Sequence, residues 1–176
     1  MTLSDVERVG EIDAEAFGSG AWPRSAFRDE LHVNHIARYF VLDPGDDRPL
    51  LGYVGCWALF DTVHLVTIGV DPQYQRQGLG EILVRQALDL AHEIGAPEVT
   101  LECRETNARA LALYRKYGFE QAGRRPRYYS DTREAALIMT ADNVCSDAFR
   151  ATLDQRRADH QRRYGLRVQV EREAAR

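Results

Sequence analysis

Residues Val63–Ile94, VHLVTIGVDPQYQRQGLGEILVRQALDLAHEI, contain a strand, a loop and a helix in succession. The first residues are mostly apolar, several of them β-branched, and they end at Asp71-Pro72, where proline prevents further sheet pairing. From Leu79 onward, apolar residues recur every three or four positions, which predicts a helix with one buried face. Gly78 and Gly80 lie at its start, where unpaired backbone N–H groups and the helix dipole favour an anion. The stretch therefore predicts a phosphate-binding loop.

The details of this loop exclude two common phosphate sites. It lacks the Gly-Lys-Ser/Thr ending of nucleoside-triphosphate loops, and it lacks the three-glycine spacing of dinucleotide folds. A glycine pair before a helix is also compatible with a simple tight turn.

Length and composition predict one main domain with a small appendage. The 176 residues carry a net charge of −4, but residues 146–176 hold 8 Arg against 5 acidic residues. We expect a main domain over 1–143 and a polar, Arg-rich extension over 144–176. The three widely spaced cysteines favour neither a disulfide framework nor a metal site, so we expect a cytoplasmic protein. No apolar run is long enough to span a bilayer, and we expect neither membrane nor direct nucleic-acid binding.

The remaining pattern predicts an α+β fold. Ser4 to Glu7 has the form of a capping box, which predicts that a helix begins at Asp5. Short turns join three antiparallel strands before the phosphate loop, and two helices then alternate with strands. The predicted strands are Ala37–Leu42, Leu50–Leu59, Val63–Val70, Glu98–Cys103, Phe119–Arg125 and Ala136–Thr140, with a turn at 44–47. Helices are predicted after Trp22-Pro23, over Leu79–Ile94 and from Asn107 to Tyr117; a polar helix ending at Gly165 and a short strand through Leu166, Val168 and Val170 follow.

Three segments together resemble a known family. They are Gly69-Val70-Asp71-Pro72-x-Tyr74-Gln75-Arg76-x-Gly78-Leu79-Gly80, Leu101-Glu102-x-Arg104-x-x-Asn107 with Leu113-Tyr114 and Gly118-Phe119, and Arg127-Tyr128-Tyr129-x-Asp131 through Met139. In these segments the chain resembles the GNAT acetyltransferases, and within them the RimI-type protein N-terminal acetyltransferases. The resemblance implies a mixed central sheet of six to seven strands with a splayed parallel pair and about four helices. Folds of this family open with a strand before the first helix, and we expect that strand to be short or missing here. It implies acetyl-CoA as co-substrate and a protein N-terminus as acceptor, in bacterial members the N-terminal alanine of the eighteenth small-subunit ribosomal protein.

The resemblance also implies roles for individual residues. Glu102 would be the general base and Tyr114 the general acid. Backbone groups of Ile68 and Val70 would hold the pantetheine arm. Trp22, Tyr128 and Tyr129 would border the acceptor. The implied coenzyme contacts are completed by Gln75, Arg76, Gln77, Gly78, Leu79, Gly80, Asn107 and Tyr114.

The residues themselves leave structural alternatives open. Glu102 is equally a candidate for an ion pair with a nearby arginine, and Trp22 for a core residue. A tyrosine with its hydroxyl tied to a backbone carbonyl fits Tyr117 better than Tyr114. Acyl transfer also needs a donor for the developing oxyanion, and a strand N–H freed at a bulge is suitable. Gly69 is the predicted bulge position.

Several functions are compatible with this pattern. An α-amine titrates near ~7.7–8.0 and a lysine near ~10.4, so freeing the lysine amine costs about 3.5 kcal/mol more. This favours an N-terminal acceptor over a lysine side chain. A small-amine acetyltransferase would need an acidic acceptor pocket. A non-catalytic domain that binds acetyl-CoA is the alternative from another class. The sequence does not fix the oligomeric state.

Overall fold

The computed structural model describes residues 1–45, 48–165 and 169–172, and its centre is one mixed sheet. The strand order is β5-β6-β4-β3-β2-β1-β7. None of the helices in these ranges is apolar and long enough to span a bilayer. The helices are α1 Val6–Phe17, α2 Arg24–His32, α3 Leu79–Ile94, α4 Ala108–Lys116 and α5 Asp147–Tyr164; the strands are β1 Ala37–Asp43, β2 Gly52–Ala58, β3 Thr62–Val70, β4 Glu98–Arg104, β5 Glu120–Arg125, β6 Ala136–Ala141 and β7 Gln169–Arg172.

These elements confirm the predicted α+β fold. Every predicted strand and helix is present, with bounds within a few residues of those predicted. Gly165 ends α5 with a left-handed φ of 57°, as a C-terminal glycine should. Asp46 and Asp47 of the predicted turn, and Leu166 and Val168 of the predicted tail strand, lie outside the described residues.

The part of the sheet formed by β1 and β2 is covered on both faces, and these strands contain runs of consecutive buried residues, whereas buried and partly exposed residues alternate along β3 and β4. Along β1, Tyr39 and Val41 pack with α1 and α2 in one core, whereas Phe40 and Leu42 pack with α3 in the other. This follows from the alternation of side chains along a strand. The two crossover helices and α5 therefore lie opposite α1 and α2.

The beginning of the chain differs from the prediction in two ways. Residues Leu3–Asp5 form a turn of 3₁₀-helix, and α1 begins at Val6 instead of Asp5. The capping interaction is shifted two residues upstream, because the Thr2 N–H donates to the Asp5 carboxylate at 2.6 Å. No strand precedes α1 in residues 1–5, and the implied opening strand is absent there. The neighbour of β1 at this edge of the sheet is β7, which pairs antiparallel with it.

The only parallel pair of the described sheet is short. It joins Thr62–Leu65 to Glu98–Leu101 and stops, although β3 continues to Val70 and β4 to Arg104. The two strands therefore separate at their carboxyl ends, as the resemblance implies. Backbone groups on the β4 side of β3 are left without a strand partner beyond this point.

A bulge in β3 accompanies the separation, three residues before the predicted position. Gly55 of β2 pairs with Thr67 and Cys56 with Leu65, so Val66 is the extra residue. Gly69 pairs regularly with Tyr53, and the prediction of a bulge there is wrong. Its missing side chain instead makes room for the Tyr53 ring, which lies 2.6 Å from where a Cβ would stand.

The extension after residue 143 packs onto the domain. Leu153 of α5 belongs to the core that contains α3, and Phe149 packs against the same core. Arg157 donates to both carboxylate oxygens of Asp89 on α3, at 2.8 and 2.9 Å. Although α5 is polar along most of its surface, these few contacts place it along α3.

A buried polar network joins α1 to the sheet beneath the loop that follows α1. The Tyr53 hydroxyl donates to Asp13 and is 2.9 Å from the Thr67 hydroxyl. The Trp22 N–H donates to the other Asp13 oxygen at 2.6 Å. Burial raises the pKa of Asp13, and the hydrogen bonds from Tyr53 and Trp22 oppose that rise. The carboxylate therefore satisfies donors on two separate elements.

We expect Asp13→Ala to destabilise the protein by about 2–4 kcal/mol, because it leaves buried donors of Tyr53 and Trp22 without an acceptor. Urea unfolding of the single variants and of Asp13→Ala with Tyr53→Phe gives the coupling between the two side chains. The exposed Asp29→Ala is the matched control, expected within about 0.5 kcal/mol of the parent chain. Strictly additive effects of the Asp13 and Tyr53 changes would contradict the network.

Candidate active site

One large cleft, of about 1140 Å³, includes the gap between β3 and β4. One end lies at the loop before α3, and the other lies between the loop after α1 and the loop 128–134. The helices α3 and α4 follow the two separating strands directly, so their N-terminal ends both border the gap. The cleft therefore joins the predicted phosphate loop to the predicted acceptor region.

The phosphate-loop end has the features an anion needs. Gly78 is the N-cap of α3 with a φ of 85°, and no side chain caps the first turn. Arg76 also has a positive φ of 65°, which in a non-glycine residue is uncommon and typical of sites that turn backbone N–H groups towards a ligand. These groups fit the pyrophosphate of a coenzyme A molecule.

The loop is held in place by its first residue. Asp71 is buried and forms an ion pair with Arg8 of α1. Its other oxygen accepts the Gln73 N–H at 2.8 Å. Farther along, Gln75 donates to the Val70 carbonyl at 3.3 Å and accepts from Arg109 of α4 at 3.1 Å. The loop is thus tied to both sides of the cleft.

Glu102 lies on the wall of the cleft and is held by two basic side chains. Its carboxylate is 3.0 Å from His64 Nε2 and 3.4 Å from Arg125 Nη2, and its side chain is 13% exposed. The His64 ring in turn packs near the Trp57 ring, at 6.0 Å between centroids. The ion-pair alternative and the cleft position are therefore both realised, because a carboxylate can be oriented by partners and still face the cleft.

Tyr114 lies in the same cleft at the start of the gap. It is buried, and its ring packs at 5.8 Å from the Phe119 ring. Burial, followed by the proximity of Cys103, raises the pKa of Tyr114 well above its usual value, so the phenol stays protonated. Within the described part of the chain its hydroxyl has no hydrogen-bond partner. Tyr117 is tied to the Glu81 carboxylate at 2.7 Å, not to a backbone carbonyl as predicted.

The other end of the cleft is aromatic. The Trp22 ring lies 5.7 Å from the Phe27 ring at the margin of the core, and Trp22 also lines the cleft. Tyr128 and Tyr129 pack edge to face at 5.2 Å. The Arg104 guanidinium lies 3.9 Å from the centre of the Tyr129 ring, a cation–π contact.

The two acidic residues near this end are already paired. Arg104 binds Asp131 at 2.8 Å and lies 3.6 Å from Glu134. Hydrogen bonds from Thr106 hold the pKa of Glu134 below its usual value, and the bond from Arg104 does the same for Asp131. Both groups are therefore charged at neutral pH, and both pair with Arg104 while lining the cleft.

The structure brings the predicted site residues together with one exception. Gln77 is exposed and does not line the cleft. Asn107 lines it while its side chain caps α4 by accepting the Ala110 N–H at 3.1 Å. All other predicted residues line the cleft, namely Trp22, Ile68, Val70, Gln75, Arg76, Gly78, Leu79, Gly80, Glu102, Tyr114, Tyr128 and Tyr129.

Sequence reasoning missed the partners of Glu102 and the contribution of α5. His64 pairs in register with Thr100, two residues before Glu102, so strand alternation places both side chains on one face. That signal was available. Arg125 comes from β5, and Arg163 and Tyr164 of α5 also line the cleft; no local pattern shows these long-range placements. In the described ranges, no group of three or more His, Cys, Asp or Glu side chains is arranged to hold a metal ion.

Comparisons with known proteins agree with this geometry. Residues 6–119 match the model of the Acetyltransferase (GNAT) family. The chain is 40% identical, over 79% of its length and 90% of the relative's, to a putative [ribosomal protein bS18]-alanine N-acetyltransferase of Bacillus subtilis. It is 40% identical, over 81% of its length and 90% of the relative's, to the N-alpha-acetyltransferase RimI of Mycobacterium tuberculosis.

A solved structure gives the same result. The ribosomal-protein-S18-alanine N-acetyltransferase of Escherichia coli superposes with a TM-score of 0.72 at 30% identity, covering 81% of this chain and 90% of that one. The resemblance drawn from the three sequence segments is confirmed. The chain belongs to the GNAT family of acetyltransferases and, within it, to the RimI type.

Proposed function

We propose that this enzyme transfers an acetyl group from acetyl-CoA to the N-terminal α-amine of a protein, by direct attack while both substrates are bound. A ribosomal protein that begins with alanine is the proposed acceptor, in the cytoplasm. The observation that carries the proposal is the single cleft, in which Glu102 and Tyr114 lie between an uncapped helix N-terminus and an aromatic mouth. The names of the 40%-identical relatives support the acceptor class.

The coenzyme supplies the acetyl thioester, and the protein binds and orients it. The N–H groups at the start of α3, beside the left-handed Gly78, would hold the pyrophosphate. The pantetheine arm would take the place of a neighbouring strand, with its amide groups paired to the free backbone edge of β3 beyond Leu65. This orientation directs the thioester towards the gap between β3 and β4.

Glu102 is the proposed general base. The incoming amine arrives as an ammonium ion and must lose a proton before it can attack. His64 and Arg125 fix the carboxylate in one orientation, so that one oxygen or a bound water receives that proton at a defined place. The pKa of an α-amine lies within about one unit of neutral pH, whereas that of a lysine side chain is near ~10.4. A single carboxylate is therefore a more suitable base for an α-amine than for a lysine side chain.

Tyr114 is the proposed partner of the leaving sulfur. Its raised pKa makes it a permanent hydrogen-bond donor, and full transfer of its proton to a thiolate with a pKa near ~8.5 is uphill. Its catalytic contribution is therefore hydrogen bonding to the charge that develops on sulfur. The hydroxyl is available because no group in the described residues engages it.

The pairing of the acidic side chains weakens the case for a polyamine as the acceptor. A polycation needs unpaired carboxylates, whereas Asp131 and Glu134 share Arg104, which offsets part of their charge. The carboxylate of Asp13 binds Tyr53 and Trp22. A single α-amine with a short, small first side chain places one positive charge beside Glu102 and the rest of the peptide against the aromatic mouth.

The substrate class is tested by incubating the purified protein with acetyl-CoA and hexapeptides that begin with alanine, serine or methionine, and following thiol release. We expect turnover with an alanine-starting peptide. Both this peptide and its control contain an internal lysine, and the control differs only in its blocked N-terminus. We expect no turnover with the control. Equal rates with the blocked peptide would contradict the N-terminal assignment.

We expect Glu102→Gln to lower kcat by about 100-fold while leaving the Kd for coenzyme A within about 2-fold, because the change removes a base but no coenzyme contact. Stopped assays with the alanine-starting peptide and calorimetric titration measure the two effects. Glu105→Gln is the control, since Glu105 is an exposed residue paired with Arg124. A collapse of coenzyme affinity in the Glu102 variant would make the carboxylate a structural partner.

We expect Tyr114→Phe to lower kcat by roughly 10- to 100-fold with little change in stability, because the hydroxyl has no partner in the described protein to lose. Tyr117→Phe, at the residue that follows α4, is the matched control. It loses the bond to Glu81 and is expected to lower the free energy of unfolding by about 1 kcal/mol with kcat nearly unchanged. Kinetics and urea unfolding of both variants measure the two effects. A loss of stability in Tyr114→Phe together with a loss of kcat in Tyr117→Phe would refute the assignment.

A further inference from the structure

The end of α5 lies directly against the phosphate loop. The His160 Nε2–H donates to the Gly78 carbonyl at 3.0 Å, and only 4% of His160 is exposed. A Cβ on Gly78 would lie 2.7 Å from His160 Nε2 and 2.7 Å from the Tyr164 ring. The glycine is therefore required by α5 as well as by its positive φ. Two rings of the extension, 4.9 Å apart, cover the back of the loop.

The position of this helix end is fixed from the other side of the domain. Leu153 and Phe149 anchor α5 in the core, where the Phe149 ring lies 3.0 Å from the Cβ position of Gly118. The bidentate contact of Arg157 with Asp89 aligns α5 with the middle of α3. Because α3 starts at the phosphate loop, these contacts hold the last turn of α5 beside that loop.

The last turn of α5 offers a cation to the cleft. Arg163 and Tyr164 line it together with the phosphate loop. Three other cations line this end: Lys116 binds Glu81 at 2.6 Å, Arg109 binds Gln75 at 3.1 Å, and Arg76 belongs to the phosphate loop itself. In the described part of the chain, Arg163 has no carboxylate partner, and its guanidinium lies 5.2 Å from the Tyr164 ring.

The neighbouring arginine behaves differently, although it is in the same turn. Arg162 pairs with Asp159 on α5 itself and does not line the cleft. Its side chain is 70% exposed. Comparing variants of Arg162 and Arg163 therefore distinguishes a general effect of positive charge on the extension from an effect that requires the arginine to lie at the cleft.

We propose that Arg163 and Tyr164 bind the nucleotide half of coenzyme A, with Arg163 on a phosphate, and that His160 is a positioning residue that fixes Gly78 in the phosphate loop. The extension is then part of the coenzyme site. The inference rests on the proposed use of acetyl-CoA. It goes beyond the family match, which ends at residue 119, before α5 begins.

The test uses the full chain and measures coenzyme binding separately from turnover. Calorimetric titration with coenzyme A is expected to give a Kd at least about 10-fold higher for Arg163→Ala than for the control Arg162→Ala, because charge-assisted contacts to phosphate are lost. With S-acetyl-pantetheine, which lacks the nucleotide, both variants should acetylate the alanine-starting peptide with the same KM. Equal Kd values for the two variants would overturn the role of Arg163.

The role of His160 is tested by rescue. His160→Ala should raise the KM for acetyl-CoA several-fold with kcat unchanged, and His160→Gln, which retains an N–H donor for Gly78, should restore most of the loss. Urea midpoints of both variants show whether they are folded. If the two variants have the same KM as the parent chain, or if glutamine is no better than alanine, the positioning role is wrong.

The two proposals fail differently. Coenzyme binding that depends on Arg163, without acetylation of any peptide, would overturn the proposed acceptor but support the role of the extension. Peptide acetylation with coenzyme affinity insensitive to Arg163 would overturn the role of the extension and leave the proposed function intact.

Discussion

The separation of β3 from β4 after Leu65 and Leu101 is the constraint on which the rest of the site depends. Parallel strands normally remain paired because unpaired backbone groups within a sheet are costly. Here β3 carries an extra residue at Val66, and the edge left unpaired is the surface that we propose for the amide groups of the coenzyme. Since α3 and α4 each follow one of these strands, the same divergence brings two helix N-termini to a common gap. In the proposed site, the separation of these two strands creates both the phosphate-binding position and the position of the thioester.

Paired polar side chains surround the gap and limit its movement. Asp13 joins α1, β2 and the loop at Trp22, whereas Asp71 ties the phosphate loop to Arg8. Glu102 is held from β3 and β5 at once, by His64 and Arg125. Charges removed from water must be paired to be tolerated, and each pair here joins separate elements. The consequence is a site whose reacting groups need little rearrangement, which is the condition under which electrostatic stabilisation of a transition state is effective.

The sequence was sufficient for the parts of the molecule governed by local rules. Alternation, helical spacing, Pro72 and the terminal glycines determine the elements, and the motif around Gly78 locates the phosphate loop. The errors arise where distant segments decide. The bulge is at Val66 and not at Gly69 because the Tyr53 ring occupies the space beside that glycine. Arg125 reaches Glu102 across β6, and β7 pairs with β1 at the edge of the sheet. Such placements depend on tertiary packing, which cannot be predicted from a short segment of sequence.

The extension shows why composition alone was misleading. From its sequence, a helix with few large apolar residues looks like a solvated appendage. In the structure, Leu153 and Phe149, the ion pair of Arg157 with Asp89 and the bond from His160 to Gly78 join α5 to the domain. Once the helix axis is fixed, the residues that matter are those in its final turn, where His160 and Tyr164 cover the back of Gly78. The loop is then enclosed between the β3 side and α5, with its N–H groups facing the cleft. A loop held from behind in this way can keep its left-handed residues in place before the coenzyme arrives, which lowers the conformational entropy lost on binding.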